Sequence, residues 1–116
     1  MLRRDRDEPL YVIGVVSRML RVHPQTLRMY EREGLVRPVR QGGQRLYSER
    51  DIERIDMVLR LTRDLGVNRA AVEIILRMRE RLALLEREVQ EMLMAMDSPV
   101  RDEFEDKLRR IFSEED

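Results

Sequence analysis

No cysteine occurs in the 116 residues, so the chain holds no disulfide, thiolate metal site or thiol redox switch. A single histidine, His23, cannot build an imidazole metal site by itself. Tryptophan is absent, aromatics are 4% of the chain and lysine occurs once, at Lys107. There is no apolar run of about 18 residues and no signal-peptide pattern, so neither a membrane span nor export is expected, and a cytoplasmic setting is. The histidine has no nucleophile with a recognisable motif beside it. There is no phosphate-cradling glycine loop, and the acids lie along helix faces as solvated charge. An enzyme is therefore not expected, nor a cofactor, metal or small-molecule ligand. What remains is 42% apolar and 40% charged, rich in Glu, Arg, Leu and Met, a helix-forming balance with little apolar surplus for a large core.

The formal net charge of zero hides an asymmetry. Residues 1–50 carry 11 Arg against 6 acids, whereas residues 51–116 carry 12 basic residues against 17 acids. Residues 18–47 hold seven Arg and two acids. A basic region around two short helices points to phosphate contacts.

Residues 1–9 mix charges and end in Pro9, which reads as a mobile tail. Apolar positions 13, 15, 16, 19, 20 and 22 suit a short helix with Gly14 as a plausible cap. A second helix is expected from His23-Pro24, with proline in its first turn and Gly34 as the glycine just past its end. Two short helices joined this tightly make a helix-turn-helix. Residues 35–47 read as a hairpin turning at Gln41-Gly42-Gly43, with Pro38 confining its strand to an edge. Ser48 with Asp51 opens another helix by a capping box. Ile52, Ile55, Val58, Leu59 and Thr62 form its stripe, and Gly66 ends it. Asn68 caps a longer helix, with Ala71, Val72, Ile75 and Leu76 inward.

That helix continues as a seam. Ile75, Met78, Leu82, Leu85, Val89, Met92 and Met96 alternate in steps of three and four, an a/d heptad pattern for a homodimeric coiled coil. Antiparallel pairing with Leu82 against the partner's Leu85 brings Arg79 toward Glu86 and Arg81 toward Glu88, so the charges favour it over parallel pairing. Asp97-Ser98-Pro99 breaks the helix, and Phe104, Leu108, Ile111 and Phe112 then share one face with Val100. This tail either packs on the dimer helices or offers the face to another protein. The domains expected are a tail (1–9), a DNA-binding domain (10–77), a dimerisation coiled coil (78–96) and an acidic amphipathic tail (97–116).

With these elements in order, the chain resembles the MerR family of winged helix-turn-helix regulators. Thr26-Leu27-Arg28-Met29-Tyr30-Glu31 with Gly34-Leu35 meets the family's recognition-helix pattern, and Gly43-Gln44-Arg45-Leu46-Tyr47-Ser48 meets its wing pattern. Within the family it resembles the heat-shock repressor (HspR) branch, through His23-Pro24-Gln25-Thr26-Leu27-Arg28, Tyr11-Val12-Ile13 and residues 61–68. It departs from that branch at Gly14, Arg69 and Ala71, and at Arg21 from the wider family, whose turn often has Gly there. The resemblance implies a mostly α fold: a winged helix-turn-helix with a small β-hairpin wing and a C-terminal antiparallel coiled-coil dimerisation helix.

The resemblance implies a nucleoid-associated dimeric repressor of heat-shock and chaperone genes that binds an inverted repeat in double-stranded DNA, with a DnaK-type chaperone as co-repressor. Phe104, Leu108, Ile111 and Phe112 are the candidate face for that chaperone. His23, Gln25 and Thr26 would meet base edges at the helix N-terminus, where Gln suits adenine and the Thr methyl suits thymine. Arg28 would bind phosphate or guanine, and Tyr30 would give its hydroxyl to the DNA backbone. Arg45 and Tyr47 would hold flanking phosphates, with Arg40 and Arg18 as helpers. Each assignment has a structural competitor. His23 could only cap its helix, Arg28 could pair with Glu31, and the tyrosines could be packing residues. Glu31 reads as structural. Two other functions compete: a MerR-type regulator of another regulon such as nitrogen metabolism, and a coiled-coil protein-interaction module.

Overall fold

Tyr11–Val12 (β1) passes straight into Ile13–Leu20 (α1) in a computed structural model that describes residues 5–113. Gly14, expected as the cap, lies inside the first turn instead. The cap position is Val12, extended and without a side-chain cap bond, because pairing of Val12 with Leu46 keeps it out of the helix. The helix also stops two residues short of the expected Val22. Arg21 takes a left-handed conformation, φ 53°, and the Val22 N–H donates to the Ser17 carbonyl at 3.0 Å. That is the Schellman closure, with arginine where glycine is the easier residue.

Pro24–Arg32 (α2) follows after three residues, completing the helix-turn-helix. Gly34 has φ 75°, the Leu35 N–H donates to the Tyr30 carbonyl (2.9 Å) and the Gly34 N–H to Glu31 (3.0 Å). This second Schellman closure turns the chain toward the wing. Val39–Gln41 (β2) pairs antiparallel with Gln44–Tyr47 (β3), Arg40 standing opposite Arg45. The two-residue turn needs positive φ at both positions, and Gly42 (58°) and Gly43 (80°) supply it. The sheet order is β1-β3-β2, which puts β2 at the edge that Pro38 implied and adds a third strand to the expected hairpin.

Glu49–Leu59 (α3) opens with the expected capping box. The Ser48 hydroxyl accepts from the Asp51 N–H and the Asp51 carboxylate from the Ser48 N–H, both at 3.0 Å. One π-helical turn, Arg60–Asp64, precedes Gly66 (φ 65°). The core of this part joins Val16, Leu27, Leu35, Tyr47, Ile55 and Val72, drawn from helices, wing and links alike. Residues 6 and 7 of the expected tail (1–9), and Leu10 just after it, make contacts with β3 and α3. The Arg50 N–H donates to the Arg6 carbonyl (3.1 Å), Arg50 pairs with Asp7 (2.6 Å), Arg6 pairs with Glu53, and the Leu10 N–H donates to Tyr47 (3.1 Å). Residues 1–4 of that tail lie outside the described residues.

Asn68 caps Arg69–Met94 (α4) by accepting from the Ala71 N–H at 3.0 Å. The chain divides between Glu73 and Ile74 into two compact units, slightly before the boundary expected at 77. In the second unit the seam is open. Met78, Leu82, Leu85 and Met92 are 58, 52, 55 and 62% exposed, while Ile75 and Val89 are half-buried. Leu93, off the seam, is buried. Ser98–Phe112 (α5) begins at the expected break. Its apolar face is divided: Leu108 and Phe112 line an open groove with Glu86 and Gln90 of α4, whereas Phe104 and Ile111 are exposed. Among the described residues no helix is long and apolar enough to cross a membrane.

Candidate nucleic-acid interface

The first turn of α2 presents polar groups from a fixed start. His23 is extended, and its Nδ1 accepts from the Gln25 N–H at 3.0 Å. An accepting Nδ1 assigns the ring proton to Nε2, which is left as an outward donor. Capping thus occupies one nitrogen of an exposed ring and leaves the other outside the cap bond. Gln25 is exposed and Thr26 half-buried beside it. Unpaired N–H groups and the helix dipole make this end positive, suited to a DNA groove.

Arg28 does not pair with Glu31. That carboxylate is taken across the fold by the wing: Arg45 Nε donates to one oxygen, and Arg40 pairs with the other at 3.4 Å. Burial pushes the Glu31 carboxyl up. The Arg45 hydrogen bond and charge, together with Arg40, outweigh burial and hold it below its ordinary value of 4.5. Arg28, half-buried one turn into α2, makes no ion pair among the described residues. Arg40 is exposed at the wing edge, and Arg18 is exposed in the last turn of α1.

The tyrosines part company. Tyr30 is 6% exposed, its ring packed in the core, but its hydroxyl is not among the sealed unpaired polar atoms. Tyr47 is 0% exposed and its hydroxyl is buried without a partner. The expectation that Tyr47 holds a flanking phosphate is therefore corrected. In the strand alternation Tyr47 points inward, and it is the largest fully buried side chain. An orphan buried hydroxyl costs about 1–3 kcal/mol. Tyr47→Phe is expected to raise the unfolding free energy by roughly 1 kcal/mol and leave DNA affinity unchanged. Burial, then the Glu31 charge, push this phenol above its ordinary 10.0. The folded chain thus keeps the proton to higher pH than the unfolded one. The associated stability is intact below pH ~10 and lost as pH rises through the folded value, so urea titrations of the Phe variant should lack this alkaline loss.

Several ties were not foreseen. Arg54 Nε donates to the Leu35 carbonyl, Arg63 reaches the Arg21 carbonyl at 3.4 Å, and Arg69 pairs with Glu33 at 2.7 Å. They join α3, the π-helical turn after it and the start of α4 to the segments just past α1 and α2. With 22 arginines in the chain, no sequence signal separates these from arginines facing solvent.

A helix-turn-helix followed by a wing bearing two arginines is the arrangement of a winged helix-turn-helix domain. The chain belongs to the family described as MerR HTH family regulatory protein, whose sequence model matches residues 11–79. Within that family it is HspR-like. It is 42% identical over 92 residues to a putative heat shock protein HspR of Streptomyces coelicolor, covering 78% of this chain and 61% of that protein. It is also 34% identical over 76 residues to the HTH-type transcriptional regulator GlnR of Bacillus anthracis, covering 65% of this chain and 58% of that one. The chain thus spans about three fifths of the length of these curated relatives. The fold is shared with HiNmlR, a MerR family regulator lacking the sensor domain, solved bound to promoter DNA. The TM-score is 0.53 at 19% identity, with 87% of this chain and 77% of that chain covered.

Proposed function

We propose that the protein is a homodimeric repressor of chaperone and heat-shock genes that binds an inverted repeat, with a DnaK-type chaperone as co-repressor. The observation that carries the DNA reading is the first turn of α2, where His23 caps the helix through Nδ1, leaving Nε2 outside the cap bond, with Gln25 exposed and Thr26 half-buried beside it. These three read base edges, and Arg28, Tyr30, Arg45 and Arg40 hold phosphates, with Arg18 as a helper. The open seam of Met78, Leu82, Leu85 and Met92 supports the dimer, because unpaired leucines and methionines at heptad spacing lose water when a second copy covers them. Two half-sites then follow from two-fold symmetry. The likeness to HspR supports the regulon.

For the chaperone contact, Phe104 and Ile111 are the exposed apolar residues of α5, while Leu108 and Phe112 sit at the groove beside α4. Selection of bound DNA from a random pool, with and without the chaperone, tests the whole reading. Removing residues 99–116 is expected to abolish any chaperone-dependent gain in operator affinity and to leave the dimer intact. An undiminished gain in the truncated chain would overturn the α5 assignment. The GlnR likeness supports a second reading, a regulon in nitrogen metabolism, which footprinting on genomic fragments distinguishes.

A further inference from the structure

Glu31 is the one acid of α2 that the wing engages, and it engages both of the wing's arginines. Arg40 and Arg45 stand directly opposite each other on adjacent strands. Two like charges so placed destabilise a hairpin unless something stands between them. Glu31 does so from outside the sheet, with one carboxylate oxygen for each guanidinium. The Glu31 and Arg45 side chains are only 23 and 22% exposed, so this pair is shielded from solvent more than the Arg40 arm, which is 54% exposed. Arg45 uses Nε for Glu31, which leaves its terminal Nη groups for a phosphate.

We infer that Glu31 is a positioning residue for sequence-specific DNA binding: it fixes the phosphate-holding arginines of the wing at a set distance and angle from the base-reading turn of α2. The inference rests on the DNA reading above and goes beyond it. Wing and helix are also joined by residues 33–38, where Leu35 and Val36 are buried, and by the inner end of β3, where Tyr47 is buried, whereas at the middle of the hairpin, where Arg40 faces Arg45, the tie to α2 is Glu31. With the carboxylate in place, phosphate grip and base reading form one rigid template, and only a duplex matching both at once binds fully. Without it the wing keeps its positive charge, indeed gains one net charge, but loses its register with the helix. Affinity for DNA in general then persists while preference for the operator declines.

The test uses the full chain and two duplexes, the operator selected by the wild type and a random sequence, titrated at several salt concentrations. Glu31→Gln is expected to lower the operator-to-random affinity ratio by about tenfold or more, with random-duplex affinity unchanged or higher. Glu31→Asp keeps the charge but draws the carboxylate back by one methylene. Its ratio is expected to fall as well, although its salt slope stays at the wild-type value. Phosphate ethylation interference should lose sharpness at the flanks for both variants. Two results overturn the proposal: operator and random DNA tightening equally in Glu31→Gln, which means simple charge neutralisation, or a ratio unchanged in Glu31→Asp. Thermal melting sets an assay temperature at which each chain is folded, and if Glu31→Gln does not fold the Asp variant decides alone. A wild type without operator preference is a different failure, that of the DNA reading itself.

Discussion

Replacing Arg28 and Arg45 together by alanine is expected to lower operator affinity by at least about a hundredfold per half-site, since each charge-assisted hydrogen bond contributes about 1.5–3 kcal/mol. The diagnostic quantity is the salt dependence. Removing one phosphate-neutralising cation lowers the slope of log affinity against log salt by about 0.9, so the slope should fall by about two per half-site. Fluorescence anisotropy across a salt series measures both. The structure separates the two residues. Arg28 is uncommitted within the described fold, so its loss acts on DNA binding with little effect on stability. Arg45 also satisfies Glu31, so its loss leaves that carboxylate to Arg40 alone. Arg28→Ala by itself should therefore leave the melting temperature in place, and Arg45→Ala should lower it modestly. If affinity and slope stay at wild-type values in the double variant, the arginines do not touch DNA, and the reading of the domain as a protein-interaction module takes over.

The parts of this fold that were legible in the sequence are those decided within a few residues. The proline at the second helix's first turn, the glycines at 34, 42, 43 and 66, and the Ser48–Asp51 box each impose a local geometry, and each sits where its chemistry demands. The illegible parts depend on distant partners. β1 is two residues long, too short to show an alternation, and it exists because β3 pairs with it. The same pairing displaced the start of α1 from Gly14. Glu31 and Arg45 are 14 residues apart, beyond any helix-spacing rule, so the one partner that spacing suggested for Glu31 was Arg28, as the competitor to its DNA contact. Tyr47 shows a further limit. A wing pattern identifies the residue type, but which face of a short strand meets the core depends on α3 and the rest of the fold. Arg21 hid its role because arginine gives no hint of a left-handed backbone.

Leu82→Glu is expected to convert the proposed dimer to monomers, raising the dissociation constant by at least about a hundredfold. An unpaired carboxylate at the centre of a covered seam costs several kcal/mol. The same residue is 52% exposed in the single chain, so the monomer should keep its helix content. Sedimentation velocity reads the mass and circular dichroism the fold. Affinity for an inverted repeat should drop to that of a half-site, because the second recognition helix is no longer tethered. A second substitution determines the strand direction. In the antiparallel register Leu82 meets the partner's Leu85, so adding Leu85→Arg places glutamate against arginine twice across the axis and should recover part of the association. In a parallel pair residue 82 meets 82 and 85 meets 85, so the same double variant sets like charges together and stays monomeric. A Leu82→Glu chain that still sediments as a dimer would move the interface off the α4 seam. The groove between Glu86, Gln90, Leu108 and Phe112 would then be the surface to substitute next.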